Sequence, residues 1–139
     1  MKKGRREAGS AMIELAGSMV LLAVLLTGIF QSGYTFYTYE SLVHAVRAGA
    51  RYASLGPHAA ANASDFAKSV RNVVVYGDPH AAAGKPVVPG LAPNQVEVIL
   101  EPASATVSVR GFVIDALFAT FQLDGRPTVT FPIAAEARR

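Results

Sequence analysis

The chain has 139 residues, the length of one domain, and 51% of them are hydrophobic, more than the roughly 45–50% that is typical of soluble domains. No cysteine is present, which excludes disulfides, a thiolate nucleophile, Cys-ligated zinc or iron–sulfur centres and an acylated lipoprotein cysteine. The formal net charge of +3 arises within the first nine residues, and the remaining 130 residues carry equal numbers of basic and acidic side chains. We therefore expect no nucleic-acid partner.

An uncharged segment of 25 residues, Leu15–Tyr39, follows a basic leader at residues 1–9. As a helix it is long enough to cross a hydrocarbon core of about 30 Å, and we expect the part from about residue 12 to 36 to lie in the lipid. Basic residues precede it and the next one, Arg47, comes well after it, so the positive-inside rule predicts a cytoplasmic N-terminus. Aromatic residues predict an interfacial belt where the helix leaves the outer leaflet. They are Phe30, Tyr34, Phe36, Tyr37 and Tyr39.

Two other interpretations of this segment need no special chemistry. A cleaved secretory signal has an apolar core of about 7–15 residues followed by a small-x-small site, which Ser32-Gly33 imitates. The apolar run is longer than that, and Glu14 lies where a secretory signal holds only apolar residues. A plain signal anchor is the stronger alternative, because it requires no particular residue at position 14.

Glu14 is the most informative residue of this region. An acidic side chain at the centre of a membrane helix costs roughly 2.5–3.5 kcal/mol, and less near the interface, so it calls for a partner or for a position at the cytoplasmic headgroups. Gly9 lies five residues earlier, at the end of the basic leader. In this spacing Gly9, Ser10 and Glu14 resemble the type IV prepilin pattern. That resemblance implies cleavage by a prepilin peptidase after Gly9, N-methylation of Ser10, and Glu14 as the fifth residue of the mature chain.

A processed chain offers Glu14 a counter-charge. The new α-amine of Ser10 is a cation at the start of an apolar helix, and Glu14 of a neighbouring subunit would neutralise it. Such a pair need not add net stability, but it specifies the axial register between stacked subunits, a role in which buried charges are well attested. The alternative is that Glu14 extends into the cytoplasmic headgroup layer and has no role in assembly.

The helical pattern continues beyond the membrane segment and ends at Gly56-Pro57. A helix from Ser10 to Leu55 would be about 69 Å long. Its outer part resembles TadE-like proteins of the tight-adherence (Tad) pilus, a type IVc system, although Leu15 replaces the aromatic residue that many members have after the glutamate. The residues that carry this resemblance are Ala45, Arg47, Gly49, Ala50, Arg51, Tyr52 and Ala53.

The rest of the chain predicts a small head. Ser64 and Asp65 begin a second, short amphipathic helix that ends at Gly77, and residues 77–93 hold seven Gly or Pro residues, which indicates a loop. Alternating segments at 95–100 and 106–110 predict a hairpin, and 128–133 predicts a third strand. For 112–121 we expect a short amphipathic helix or a loop packed on the sheet. The expected fold class is α+β and pilin-like: a long N-terminal transmembrane helix, a short second helix and a small antiparallel sheet.

No catalytic, cofactor-binding or metal-binding residues are expected. His44, His58 and His80 occur in unrelated contexts, which favours surface or loop positions. Asp115 lies within an apolar segment, nine residues before Asp124, and Asp124 precedes Gly125, where a turn explains it. No phosphate loop, dinucleotide motif or metal-binding motif occurs in the sequence, so the prediction is that this protein is not an enzyme.

The sequence divides into the leader 1–9, the long helix 10–56 and a periplasmic head 57–139. We predict a structural or assembly component of a Tad pilus, anchored once in the bacterial inner membrane and present in the extracellular pilus after assembly. The resemblance implies as partners a prepilin peptidase, other pilin subunits, membrane lipid, an inner-membrane platform and its ATPase. The alternatives are an unprocessed, single-pass periplasmic binding protein and, with less support, a membrane-tethered enzyme.

Overall fold

A computed structural model describes residues 3–56, 63–81, 83–101, 103–116 and 118–133, with side chains from residue 9 onward apart from that of residue 63. Lys2, Pro57 and His58 lie outside the described residues. The elements are α1 (Lys3–Leu55), α2 (Ala63–Tyr76), a 3-10 turn (Pro93–Gln95) and five strands. The strands are β1 (Val96–Leu100), β2 (Ser104–Val109), β3 (Phe112–Ala116), β4 (Ala119–Leu123) and β5 (Thr128–Pro132). This arrangement confirms the predicted α+β class, with a long helix, a short helix and small antiparallel sheets.

The head packs on the C-terminal part of α1. Thr38 is the first buried residue of the helix, and the apolar stripe that follows it is completely covered by the head. Burying such a stripe stabilises a structure by about 25 cal/mol per Å² of apolar surface. The buried α1 side chains are Leu42, Ala45, Val46, Ala50 and Ala53.

The second helix lies antiparallel to α1 and very close to it. Val74 faces Gly49, where even a methyl group would overlap with the Val74 Cγ2 atom, and Phe66 lies against Gly56 near the opposite end of the contact. The Phe66 ring also stacks on Tyr52, with ring centroids 5.9 Å apart. The helix stops where Gly77 adopts a φ of +78°, a left-handed conformation typical of a helix C-terminus. The predicted second helix is thus confirmed.

The main sheet has the order β1-β2-β5 and is antiparallel throughout. Val98 pairs with Val107 and Val107 with Val129, so apolar residues share one face across all three strands. Strands β2 and β5 contact α1, while β1 contacts α2. The hairpin and the third strand that were predicted from alternation are therefore present, and their apolar face closes the core against the two helices.

The expectation of a helix or loop at 112–121 is wrong. These residues form most of a second, two-stranded sheet in which β3 pairs with β4. Phe112 and Ile114 are buried, whereas Val113 and Asp115 are exposed, which is the alternation of a strand with one covered face. Because Val113 is apolar although it points outward, the sequence reads as a continuous apolar run and hides the two-residue period.

Candidate functional site

The half of α1 that extends beyond the head is the principal candidate for a functional surface. No residue from 9 to 37 is buried, and at 1.5 Å per residue this segment extends about 43 Å from the head. It exceeds the roughly 30 Å hydrocarbon thickness of a bilayer. Within the described residues, one helix, Gly9–Leu55, is long and apolar enough to cross a membrane, and the most apolar part of it is uncovered.

Large apolar side chains cover this projecting segment. Monomeric soluble proteins rarely expose continuous apolar patches of this kind, which mark membrane or protein contacts. The large apolar side chains of this segment that are more than half exposed are Met12, Ile13, Leu15, Met19, Val20, Leu21, Leu22, Val24, Leu25, Leu26, Ile29, Phe30, Phe36 and Tyr37. The aromatic residues in this set lie toward the head, where an interfacial belt was expected.

Four serine and threonine side chains of the projecting segment bond to their own helix. Ser18 donates to the carbonyl of Glu14 at 2.9 Å, and Thr27 donates to the carbonyl of Ala23 at 2.7 Å. Ser32 donates in the same way to the carbonyl four residues earlier, at 2.9 Å. These hydroxyl protons need no water, which suits an apolar environment in which an unpaired donor costs several kcal/mol. The hydrogen bonds of these polar side chains are thus made within the helix, to the carbonyl group four residues earlier.

The predicted processing residues lie together at the far end of this segment. Gly9, Ser10 and Glu14 are all exposed, and α1 is continuous through the Gly9-Ser10 bond. A Cβ added at Gly9 would meet no atom within 4 Å, so the described fold does not require glycine there. Within the described residues the Glu14 carboxylate has no ion-pair or hydrogen-bond partner, and the α-amine partner predicted for it would belong to a second subunit.

The outer part of α1 divides its motif residues between two faces. Ala45, Gly49 and Ala53 are buried against the head, where their small size lets α2 and the sheet approach closely. Arg47 and Arg51 are exposed, and Arg47 lies at the edge of the contact with the head, in a cleft that it shares with residues 125–129. The run that carried the resemblance therefore positions the head on the helix and leaves two cations at the surface.

In the described parts of the head and of the outer part of α1, the acidic and histidine side chains do not converge on one centre. The imidazole of His44 lies 3.9 Å from the Glu40 carboxylate one helical turn earlier, and both are well exposed. Asp78 accepts a hydrogen bond from the backbone N–H of His80 at 2.8 Å, a turn contact. Within the described residues no group of three or more His, Asp or Glu side chains is arranged to hold a metal ion. The His44–Glu40 contact was missed, although the spacing of four residues on a helix could have revealed it.

Arg110 and Glu97 form the shortest ion pair of the described head, with 2.8 Å between the Arg110 Nε and a Glu97 carboxylate oxygen. Ser108 donates a hydrogen bond to the same carboxylate at 3.2 Å. These residues lie on the neighbouring strands β1 and β2 and at the end of β2. The cluster joins strand ends at the surface and has the character of a structural contact.

The comparison with known families matches the part of the chain that holds this surface. The family model described as TadE-like protein matches residues 9–51, which are 43 of the 139 residues. The match begins at Gly9 and ends within the motif on the outer part of α1. No curated protein and no solved structure matches the chain.

Proposed function

We propose that this chain, which carries a TadE-like domain at residues 9–51, is a pilin-type structural subunit of a Tad pilus that a prepilin peptidase cleaves between Gly9 and Ser10. One observation carries the proposal: an uncovered apolar helix of about 43 Å begins at the expected cleavage site and holds a single carboxylate, Glu14. The family match supports a Tad pilus component, which is a structural role.

Gly9 supports processing through its position, at the end of the basic leader and five residues before Glu14. Glycine inside a helix costs about 1 kcal/mol relative to alanine, and nothing within 4 Å of its position in the fold requires the absence of a side chain. The surroundings of Gly17, Gly28 and Gly33 are equally open, so open space alone does not distinguish Gly9. At its place before Glu14, a cleavage site in which a side chain would crowd the peptidase accounts for the glycine. The weakened helix at Gly9 also lowers the cost of opening the backbone for cleavage.

The precursor would be anchored by α1, with the basic leader in the cytoplasm and the head in the periplasm. This orientation follows from the positive-inside rule. In the filament the apolar helices of neighbouring subunits would replace lipid around residues 9–37, while the head stays at the outside. An inner-membrane platform and a cytoplasmic ATPase would drive the transfer from lipid to filament.

The proposed role of Glu14 is to set the register of this packing. Ser10 and Glu14 are separated by about 6 Å along the helix axis, so the Glu14 of one subunit meets the Ser10 amine of another only at one axial offset. An unpaired carboxylate inside a helical bundle is costly, and breaking a buried ion pair by removing one partner costs about 3–5 kcal/mol. Axial offsets between subunits that separate the Ser10 amine from the Glu14 carboxylate would therefore be energetically disfavoured.

Intact-mass measurement of the membrane-extracted protein tests the proposal. In cells with an active prepilin peptidase we expect a mature chain that begins at Ser10, and in cells without the peptidase a chain that keeps the leader. Gly9→Leu should keep the leader in both, whereas the matched variant Gly17→Leu, at an exposed glycine outside the site, should be cleaved normally. Retention of the leader in peptidase-containing cells would contradict the proposal and favour the unprocessed, anchored binding protein.

A further inference from the structure

A cleft in the head lies between α2 and the segment formed by the 3-10 turn and the start of β1. Its volume is about 460 Å³, within the range of small-ligand sites. Lys68, Arg71, Asn72 and Tyr76 line one side, all from α2, and Asn94 of the 3-10 turn lies on the other. No acidic residue lines it. The cleft therefore collects two cations, two amides and one phenol ring.

The arginine of the cleft is held in place with most of its donors free. The Nε of Arg71 donates to the carbonyl of Val96 at 3.2 Å, and this bond anchors the partly buried side chain on β1. Of the five guanidinium N–H groups, four then remain to bind a ligand. Neither Arg71 nor the exposed Lys68 forms an ion pair within the described residues, so both positive charges are available to one anion.

The uncharged residues of the cleft suit a ligand with hydroxyl groups. Asn72 donates through Nδ2 to the carbonyl of Pro79 at 3.3 Å, which fixes its amide and leaves its carbonyl oxygen and its second N–H free. Asn94 is exposed and adds a second amide. Because amides both donate and accept, they match hydroxyl groups, which do the same. The partly buried ring of Tyr76 offers an apolar face with a polar tip.

The cleft faces away from α1. Val70 and Val74 mark the side of α2 that contacts α1, through their approach to Gly49. At about 100° per residue, Lys68 and Asn72 lie roughly 160° from Val70 around the helix, on the opposite side. The contact with α1 therefore leaves the cleft open.

We propose that this cleft binds a carboxylate-bearing carbohydrate, such as a uronic acid within a polysaccharide. Such a sugar combines an anion, several hydroxyl groups and an apolar C–H face on one compact ring, which corresponds to the three kinds of side chain in the cleft. Carboxylate binding falls to Arg71 and Lys68, hydroxyl binding to Asn72 and Asn94. An extended nucleic acid would require a continuous basic track, and residues 10–139 carry no net charge. The inference goes beyond the proposed pilus role and does not depend on processing or assembly.

Binding of defined sugars to the full-length protein in detergent micelles tests this inference. Trigalacturonic acid is the probe, and a neutral galactose trisaccharide is its matched control. We expect saturable calorimetric or fluorescence binding of the acidic probe at least about tenfold tighter than that of the neutral one. Arg71→Gln and Lys68→Gln should each weaken the acidic probe about tenfold, the loss expected for one charge-assisted contact. Lys85→Gln, at an exposed lysine outside the cleft, should leave the affinity unchanged.

Two further measurements keep the result interpretable. Asn94→Ala changes an exposed residue of the 3-10 turn and should weaken both sugars without altering the near-ultraviolet circular dichroism of the head. Equal binding of the acidic and neutral sugars, or binding unaffected by Arg71→Gln, would overturn the proposal. So would equally tight, Arg71-dependent binding of oligoglutamate or of single-stranded DNA, because the cleft would then select charge rather than a carbohydrate. None of these outcomes bears on cleavage after Gly9, so the two proposals fail independently.

Discussion

The contact between α1 and α2 at Gly49 makes a quantitative prediction for Gly49→Ala. The added methyl group would overlap with the Cγ2 atom of Val74, which is fully buried, and would lie 3.6 Å from the Val70 carbonyl oxygen. Overpacking of this kind costs about 1–3 kcal/mol, while the change from glycine to alanine inside a helix recovers about 1 kcal/mol. We therefore expect a net loss of up to about 2 kcal/mol in the free energy of unfolding of the head.

A second substitution, Val74→Ala, should remove the destabilising effect of Gly49→Ala. Val74→Ala removes the methyl group that the new side chain would meet, at the cost of its own cavity. In the Val74→Ala background, Gly49→Ala should be neutral or should stabilise the head by up to about 1 kcal/mol, because only the gain in helix propensity remains. The coupling energy between the two sites should be on the order of 1–3 kcal/mol.

Thermal unfolding of the full chain in detergent micelles measures this. The near-ultraviolet tyrosine signal is the appropriate probe, because Tyr39, Tyr52 and Tyr76 pack on the core, whereas the far-ultraviolet signal includes the projecting helix. A loss of 1 kcal/mol should lower the Tm by about 4–8 °C for a domain of this size. Gly33→Ala, where an added Cβ meets nothing within 4 Å, is the control and should not destabilise the head. Stabilisation by Gly49→Ala in both backgrounds would refute the close contact.

Two more outcomes are expected. Glu14→Ala should leave insertion and cleavage intact but should reduce incorporation into sheared pili at least about tenfold, because breaking a buried ion pair costs about 3–5 kcal/mol. The control is Glu40→Ala, which removes an exposed carboxylate of the same helix and should incorporate normally. Incorporation of both variants at the wild-type level would remove the register role. In denaturant unfolding, Phe112→Ala should lower the free energy of unfolding of the head by about 3–5 kcal/mol, because Phe112 is buried. Val113→Ala, on the exposed face of the same strand, should lower it by less than about 1 kcal/mol. Equal losses for the two variants would contradict the strand register.

The sequence was informative wherever one local pattern determines the structure. The stripe after Thr38 and the alternation around Val98 and Val107 each follow a single period, and both elements form as predicted. The two-residue period of β3 was hidden at Val113, because this residue is apolar although it is exposed. Which face of a strand is covered depends on tertiary packing and not on composition.

The candidate sites differ in how far the sequence can reveal them. Gly9 and Glu14 could be proposed from the sequence because the prepilin pattern is a short spacing along one helix. The cleft was not, because Arg71 and Asn94 are 23 positions apart and meet only after α2 and the 3-10 turn have packed together. The proposed partner of Glu14 lies beyond both sequence and fold, because a contact between two subunits is absent from the structure of a single subunit.

The continuity of α1 through the Gly9-Ser10 bond has an electrostatic consequence. In the intact helix the amide groups of residues 10–13 donate to carbonyl groups of residues 6–9, so Glu14 occupies a mid-helix position. Removal of the leader would convert the Ser10 amide into the new amine and would leave the amides of residues 11–13 without their acceptors. The positive pole of the macrodipole would then lie beside the new amine. Cleavage of this one peptide bond would thus change Glu14 from a residue in the interior of a helix to the fifth residue of one, just beyond the turn in which the positive helix end acts most strongly.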